Sequence, residues 1–171
     1  MSQVVIRPFL STDIDNIVKQ FANNNWTKPR VTFENYWQEK TANVRIVWLA
    51  FHQQQFAGYI TLKWDSLYLP FHDKKIPEIM DLNVLPPYRN QGVGSALLDV
   101  AEAEASKQHA IVGLGVGLYP DYGSAQKLYI KRGYRPDGLG ITWNYQRVIP
   151  GSQVCLDDDL ILWFTKELTR T

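Results

Sequence analysis

The stretch "EIMDLNVLPPYRNQGVGSALLD", Glu78 to Asp99, constrains the chain more than any other. Its opening run suits a strand, and Pro86 and Pro87 end it because they cannot donate to a sheet ladder. Val93, Leu97, Val100, Ala101 and Ala105 then recur at helical spacing. Between strand and helix stands Arg89-x-x-Gly92-x-Gly94. A glycine inside a helix costs about 1 kcal/mol relative to alanine, so two at a helix start need a reason. Helices begin with N–H groups that lack an intrahelical partner and with the positive end of the dipole, which together stabilise an anion. The first acidic side chain is Asp99, well into the helix, and Arg89 adds a guanidinium suited to phosphate oxygens. Alone, G-x-G also fits a purely structural tight turn. Spacing excludes two common phosphate cradles: there is no G-x-x-x-x-G-K-[ST], and Leu97 stands where the third glycine of G-x-G-x-x-G would fall.

The rest of the chain supplies strands that first pair as hairpins and later alternate with helices. "QVVIRP" predicts a first strand, and "STDIDNIVKQFANN" a helix with Ser11 or Thr12 as N-cap and Ile14, Ile17, Val18 and Phe21 on its buried stripe. "FENYWQEK" predicts a second short helix, and "VRIVWLAFHQQQFAGYITLKW" two strands joined by a polar turn. "DSLYLPFHDKK" reads as a loop. "AIVGLGVGL" is a strand whose alternating Gly113, Gly115 and Gly117 leave one face bare, as if another chain or a ligand passed close by. "GSAQKLYIKRGY" follows as a helix capped by Gly133, then the turn-rich "RPDGLGITWNYQRVIPGSQV" and a last strand "DLILWFTKEL".

At 171 residues the chain holds one well-buried core, and a single domain over residues 1–171 is expected. Its 18 basic and 17 acidic residues are scattered, so no basic stripe stands ready for nucleic acid. No apolar run reaches the length of a membrane span, and His52, His72 and His109 have no metal-ligand spacing. The lone Cys155 forms no intramolecular disulfide, and the N-terminus lacks the pattern of a signal peptide. Cytoplasmic localisation is expected, with no nucleic acid, membrane or metal partner.

Two motifs in order carry a resemblance. "EIMDLNVLPPYRNQGVGSALLDVAEAEA", followed by a strand and "SAQKLYIKRGYRPDG", resembles the GCN5-related N-acetyltransferase (GNAT) superfamily. Arg89, Gly92 and Gly94 match its R/Q-x-x-G-x-G/A signature, and Ala125, Leu128, Tyr129, Lys131, Gly133 and Tyr134 match A-x-x-L-Y-x-K-x-G-F/Y. The resemblance implies an α/β acyl-CoA N-acyltransferase fold: a mixed, mostly antiparallel sheet of about six to seven strands flanked by about four helices, splayed between the fourth and fifth strands. It implies an N-acetyltransferase that moves an acetyl group from acetyl-CoA to a primary amine of a small molecule or peptide, by direct attack in a ternary complex, acting as monomer or homodimer. The alternative is an inactive acetyl-CoA-binding sensor or scaffold of the same fold.

Carried over residue by residue, the resemblance gives Asn90, Gln91, Gly92, Val93, Gly94 and Ser95 to the pyrophosphate, with Arg89 nearby, and lays Leu82, Asn83 and Val84 along the pantetheine arm. A backbone N–H on that strand becomes the oxyanion donor. Glu78, six residues before Val84, takes the place of a glutamate base and shares strand parity with Met80, Leu82 and Val84; Asp81, on the opposite face by parity, is the second choice. Tyr129 matches a tyrosine that serves as general acid toward the thiolate. Relatives often carry Asn where this chain has Tyr122, and either Asp121 or Ser124 is the candidate to replace it. Trp26, Tyr36, Trp37, Trp64, Tyr68, Phe71 and Trp143 are candidates for an aromatic acceptor pocket or for core, and Asp157 to Asp159 for attracting a polycation or for a solvated turn. Part of the segment from Arg135 to Val154 is a candidate cap over the acceptor.

Overall fold

The computed structural model describes residues 4–169 and divides into two compact units, one formed by the chain up to Lys63 with Met80–Glu104, the other by Trp64–Ile79 with the chain from Ala105 onward. In the first, β1 (Val4–Pro8), β2 (Arg45–His52) and β3 (Gln55–Lys63) follow one another in the sheet, and β4 (Glu78–Val84) lies next to β3. β1–β2 and β2–β3 are antiparallel, and the hairpin between β2 and β3 turns through Gln53 and Gln54 at positive φ. Two helices, α1 (Ile14–Asn23) and α2 (Arg30–Thr41), bury Ile14, Ile17 and Phe21 and Phe33 and Tyr36 against Val47, Leu49, Phe56 and Tyr59. The expected N-cap shifts from Ser11 or Thr12 to Asp13. Ser11–Asp13 form a 3-10 turn, and the Asp13 carboxylate is taken by the Leu10 N–H at 2.8 Å and by Arg7. From β4 the chain runs into α4 (Val93–Ser106), whose Val93, Leu97, Leu98 and Ala101 are buried.

The second unit opens with α3 (Leu69–Lys74), a helix in a segment that reads as loop. Pro70 near its start presets the first turn, and Lys75 in the left-handed region ends it after six residues. The first two residues of β4 pair in parallel with β5 (Ile111–Gly117), Glu78 with Gly113 and Ile79 with Leu114. β5 is antiparallel to β8 (Leu160–Glu167), β8 to β6 (Arg135–Trp143), and β6 to the two-residue β7 (Gln146–Arg147). α5 (Gly123–Lys131) ends at Gly133 as expected, where the Gly133 and Tyr134 N–H groups return to Ile130 and Tyr129. Tyr68, Phe71, Ile76 and Trp163 form this unit's core, with Tyr68 stacked on Trp163 at 4.1 Å and the Trp163 indole N–H donating to Thr142.

The described residues thus hold eight strands and five α-helices in a mixed, mostly antiparallel α/β arrangement. The strand count exceeds the expectation because the supposedly turn-rich segment contains β6 and β7. Gly138 and Gly140 at positive φ shift the β6 register between Pro136 and Ile141, so the sequence shows turn residues where the chain bulges without leaving the sheet. Among the described residues no helix is long and apolar enough to cross a membrane, and no group of three His, Cys, Asp or Glu converges as a metal site.

Candidate functional site

In the first unit the end of β4 and the start of α4 build a cradle. Leu85 donates its N–H to Ala57, Pro86–Tyr88 make a 3-10 turn, Arg89 is extended, and Asn90 (φ +58°) and Gly92 (φ +83°) take left-handed conformations. The Ala96 N–H reaches the Gly92 carbonyl at 2.9 Å, so Gly92 stands at the N-cap, and the helix leaves the N–H groups of Val93, Gly94 and Ser95 without intrahelical carbonyls. No acid lies in the first turn, and a Cβ on Gly92 would meet nothing within 4 Å. Arg89 Nε donates to the Val84 carbonyl at 3.1 Å, its guanidinium 5.7 Å from the Trp26 ring, which leaves the terminal nitrogens without a hydrogen bond among the described residues. The Gln91 amide donates to the Pro87 carbonyl at 2.7 Å and holds the turn. Open amides, open space, an unspent guanidinium end and no nearby acid fit a pyrophosphate.

β4 itself departs from the expected alternation. Asp81 takes φ +53° inside the strand, and this break means that parity does not carry from Glu78 through to Val84. Leu82 and Val84 are half-buried and Asn83 is buried, its side-chain amide donating to the Asp81 carbonyl at 3.0 Å. Backbone meets backbone beside it: a Cβ on Gly58 of β3 would lie 2.2 Å from the Asn83 carbonyl oxygen. That requirement was visible in "FAGYI" as a glycine inside a strand, which marks close backbone approach.

Asp81 belongs to a polar cluster that sequence reasoning missed. Tyr36 donates its hydroxyl to Asp81 Oδ2, and Arg45 Nη1 lies 3.7 Å from the same oxygen. Arg45, buried, also reaches Glu39 and donates to Thr61 at 2.7 Å, while Lys63 stands 3.4 Å from Glu39. Burial works against the Glu39 charge, but the Arg45 and Lys63 contacts outweigh it and hold the carboxyl below its ordinary range. Burial also pushes the Tyr36 and Tyr59 phenols up, keeping both protonated. The sequence offered no signal for this cluster beyond the residue types, because its members come from α2, β2, β3 and β4.

In the second unit Glu78 is not a solvated strand-start residue. It is 3% exposed, and the buried Ser66 hydroxyl donates to its Oε2 at 2.5 Å while accepting the Tyr68 N–H. Tyr129 is buried in α5, its ring 5.7 Å from that of Tyr134.

The glycine face of β5 is covered by side chains of its own unit, so of the two expected approaches, another stretch of chain or a ligand, it is the chain that comes close. A Cβ would meet the Phe71 ring at Gly113, Ile161 and Trp163 at Gly115, and the Tyr122 ring at Gly117. Tyr122 therefore packs on β5 while its hydroxyl, together with that of Tyr119, donates to Asp158. Asp157 accepts the Trp143 indole N–H and the Asp159 N–H. Of the aromatic candidates, Tyr36, Tyr68 and Phe71 are buried in the two cores, Trp26 and Trp37 pack against the first core, and Trp64 stacks on His109.

Comparison with known proteins fits this geometry. The Acetyltransferase (GNAT) family matches residues 12–134. An N-acetyltransferase from Staphylococcus aureus Mu50 superposes with TM-score 0.70 at 16% identity, covering 98% of this chain and 100% of that one. The ribosomal-protein-S18-alanine N-acetyltransferase from Escherichia coli gives 0.68 at 17%, covering 99% and 96%. Arabidopsis thaliana Naa50, in complex with the bisubstrate analogue CoA-Ac-MVNAL, gives 0.64 at 19%, covering 96% and 99%. No curated protein sequence matches. With more than half its length matched, signatures included, the chain belongs to the acetyltransferase (GNAT) family.

Proposed function

We propose that the chain is an N-acetyltransferase that takes the acetyl group of acetyl-CoA to a primary amine of a small molecule or peptide, by direct attack in a ternary complex. The observation that carries this reading is the Arg89–Ser95 turn, with its two left-handed residues and acid-free helix start. The Escherichia coli and Arabidopsis neighbours, an alanine N-acetyltransferase and a protein in complex with the bisubstrate analogue CoA-Ac-MVNAL, support N-transfer.

Acetyl-CoA supplies an acyl group activated as a thioester. The amides of Asn90 to Ser95 and the Arg89 guanidinium bind its pyrophosphate, and the backbone of Leu82, Asn83 and Val84 runs along its pantetheine arm. An alkylammonium has a pKa near 10, so the amine must lose a proton to attack. Glu78 is the proposed base, and the Ser66 hydroxyl holds its carboxylate in place. Tyr129 is the proposed acid toward the leaving thiolate. A thiol ionises near 8.5 and a phenol near 10, so the thiolate departs fairly readily unaided, and Tyr129→Phe is expected to slow turnover without abolishing it.

The test is thiol release from acetyl-CoA against a panel of small amines and N-terminal or lysine peptides. Turnover with one amine class, lowered in Glu78→Gln, is the expected result. Tight acetyl-CoA binding with no thiol release for any acceptor would overturn it.

A further inference from the structure

Asp81 is a non-glycine residue held at φ +53° in the middle of a strand, a backbone conformation that is uncommon there and that gathers at functional sites. Its carboxylate sits in a polar cluster. Tyr36 donates to Oδ2 and Arg45 stands 3.7 Å from the same oxygen, so the side chain is braced from one side. Oδ1 accepts no hydrogen bond among the described residues, and the side chain is 35% exposed. Beside it, Tyr59 is fully buried, its hydroxyl next to that of Tyr36 and within the field of Asp81 but otherwise without a hydrogen-bond partner among the described residues. An unsatisfied buried hydroxyl is rare enough to call for an explanation.

A part-exposed carboxylate oxygen short of donors, with a buried phenol behind it, suits a group that brings several donors and a positive charge. We infer that Asp81, braced by Tyr36 and Arg45 and backed by the Tyr59 hydroxyl, binds the ammonium form of a singly charged amine acceptor. The inference rests on the proposed transfer reaction in one respect: Asp81 immediately precedes Leu82 to Val84, the segment assigned there to the acyl carrier. Single charge follows from the balance of the cluster. Its other carboxylate, Glu39, is already shared by Arg45 and Lys63, so one open carboxylate oxygen is offered rather than a string of them. Tyr36 and Arg45 are positioning residues, because they act through Asp81.

The test is calorimetric titration of phenethylamine and L-alaninamide into the full chain, with and without CoA, using their N-acetylated forms as uncharged controls. Charged amines are expected to bind and controls not. Asp81→Asn is expected to weaken amine binding roughly tenfold to a hundredfold, the range for losing a charge-assisted hydrogen bond. Tyr59→Phe is expected to weaken it severalfold while changing the melting temperature little. That second variant also carries the test if Asp81→Asn does not fold. In turnover assays the loss falls on KM for the amine, with KM for acetyl-CoA unchanged. Failure of the wild type to bind either amine, or equal binding by both variants, overturns the inference. So does a loss in kcat alone, which would make Asp81 the base. Amine binding through Asp81 without thiol release leaves this inference standing and removes the transfer reaction instead.

Discussion

Two glycines near the proposed site are required for different physical reasons, and substitution separates them. Gly58 is needed for space: the clash a Cβ would make is with the Asn83 carbonyl and the Val84 Cα, backbone that cannot swing away. Gly58→Ala is expected to lower stability by about 1–3 kcal/mol, as overpacking does, a loss of several degrees in a thermal melt; an unchanged melt would mean that β3 and β4 are not packed this closely. Gly92 is needed for its φ of +83°, and the space around it is open. Gly92→Ala is expected to cost about 1 kcal/mol for the left-handed conformation while obstructing the cradle, so CoA affinity falls by more than stability does. A titration in which Gly92→Ala binds CoA like the wild type would remove the cradle from the site.

At the scale of elements, β5 shows what sequence reading reaches and where it stops. Its alternating glycines correctly announced a close approach on one face, but most of the approaching groups come from α3 and β8, remote in sequence, with Tyr122 alone from the turn just before α5. Gly113→Ala would drive a Cβ to 2.1 Å from the buried Phe71 ring, and the expected loss of stability is about 1–3 kcal/mol. Adding Phe71→Leu should recover part of that loss; a double variant that simply sums the two single losses would show that the contact is not the cause. The same limit explains α3 and β6. Periodicity is weak over the six residues of α3, and in β6 the bulge glycines imitate a loop. Long amphipathic elements, α1 and α4 above all, were legible because their apolar stripes repeat over several turns.

For the molecule as a whole, acid stability follows from charges paired within the first unit. Burial disfavours the charges of Glu39 and Asp13, but hydrogen bonds and charges from Arg45 and Lys63, and from Arg7, outweigh it, so both carboxyl groups hold their protons less tightly when folded than unfolded. Their contribution is fully present above the unfolded values of 4.5 and 3.8 and is lost as pH falls through the lower folded ones. The melting temperature should therefore fall on acidification below about pH 5, and Glu39→Gln should flatten that fall; parallel curves for the two proteins would contradict the assignment. The family was readable from two motifs, and the left-handed turn and acid-free helix start at Arg89–Ser95 from the glycines there, because both depend on local spacing. The Asp81 cluster and the burial of Glu78 against Ser66 were not, since they depend on strand register and on a left-handed residue within a strand. The central claim is catalysis of acetyl transfer to an amine, and steady-state thiol release from acetyl-CoA with the amine panel tests it most directly. Amine-dependent release, lowered about a hundredfold or more in Glu78→Gln and less in Tyr129→Phe, is the predicted result; release that is independent of any amine, or undiminished in Glu78→Gln, would contradict it.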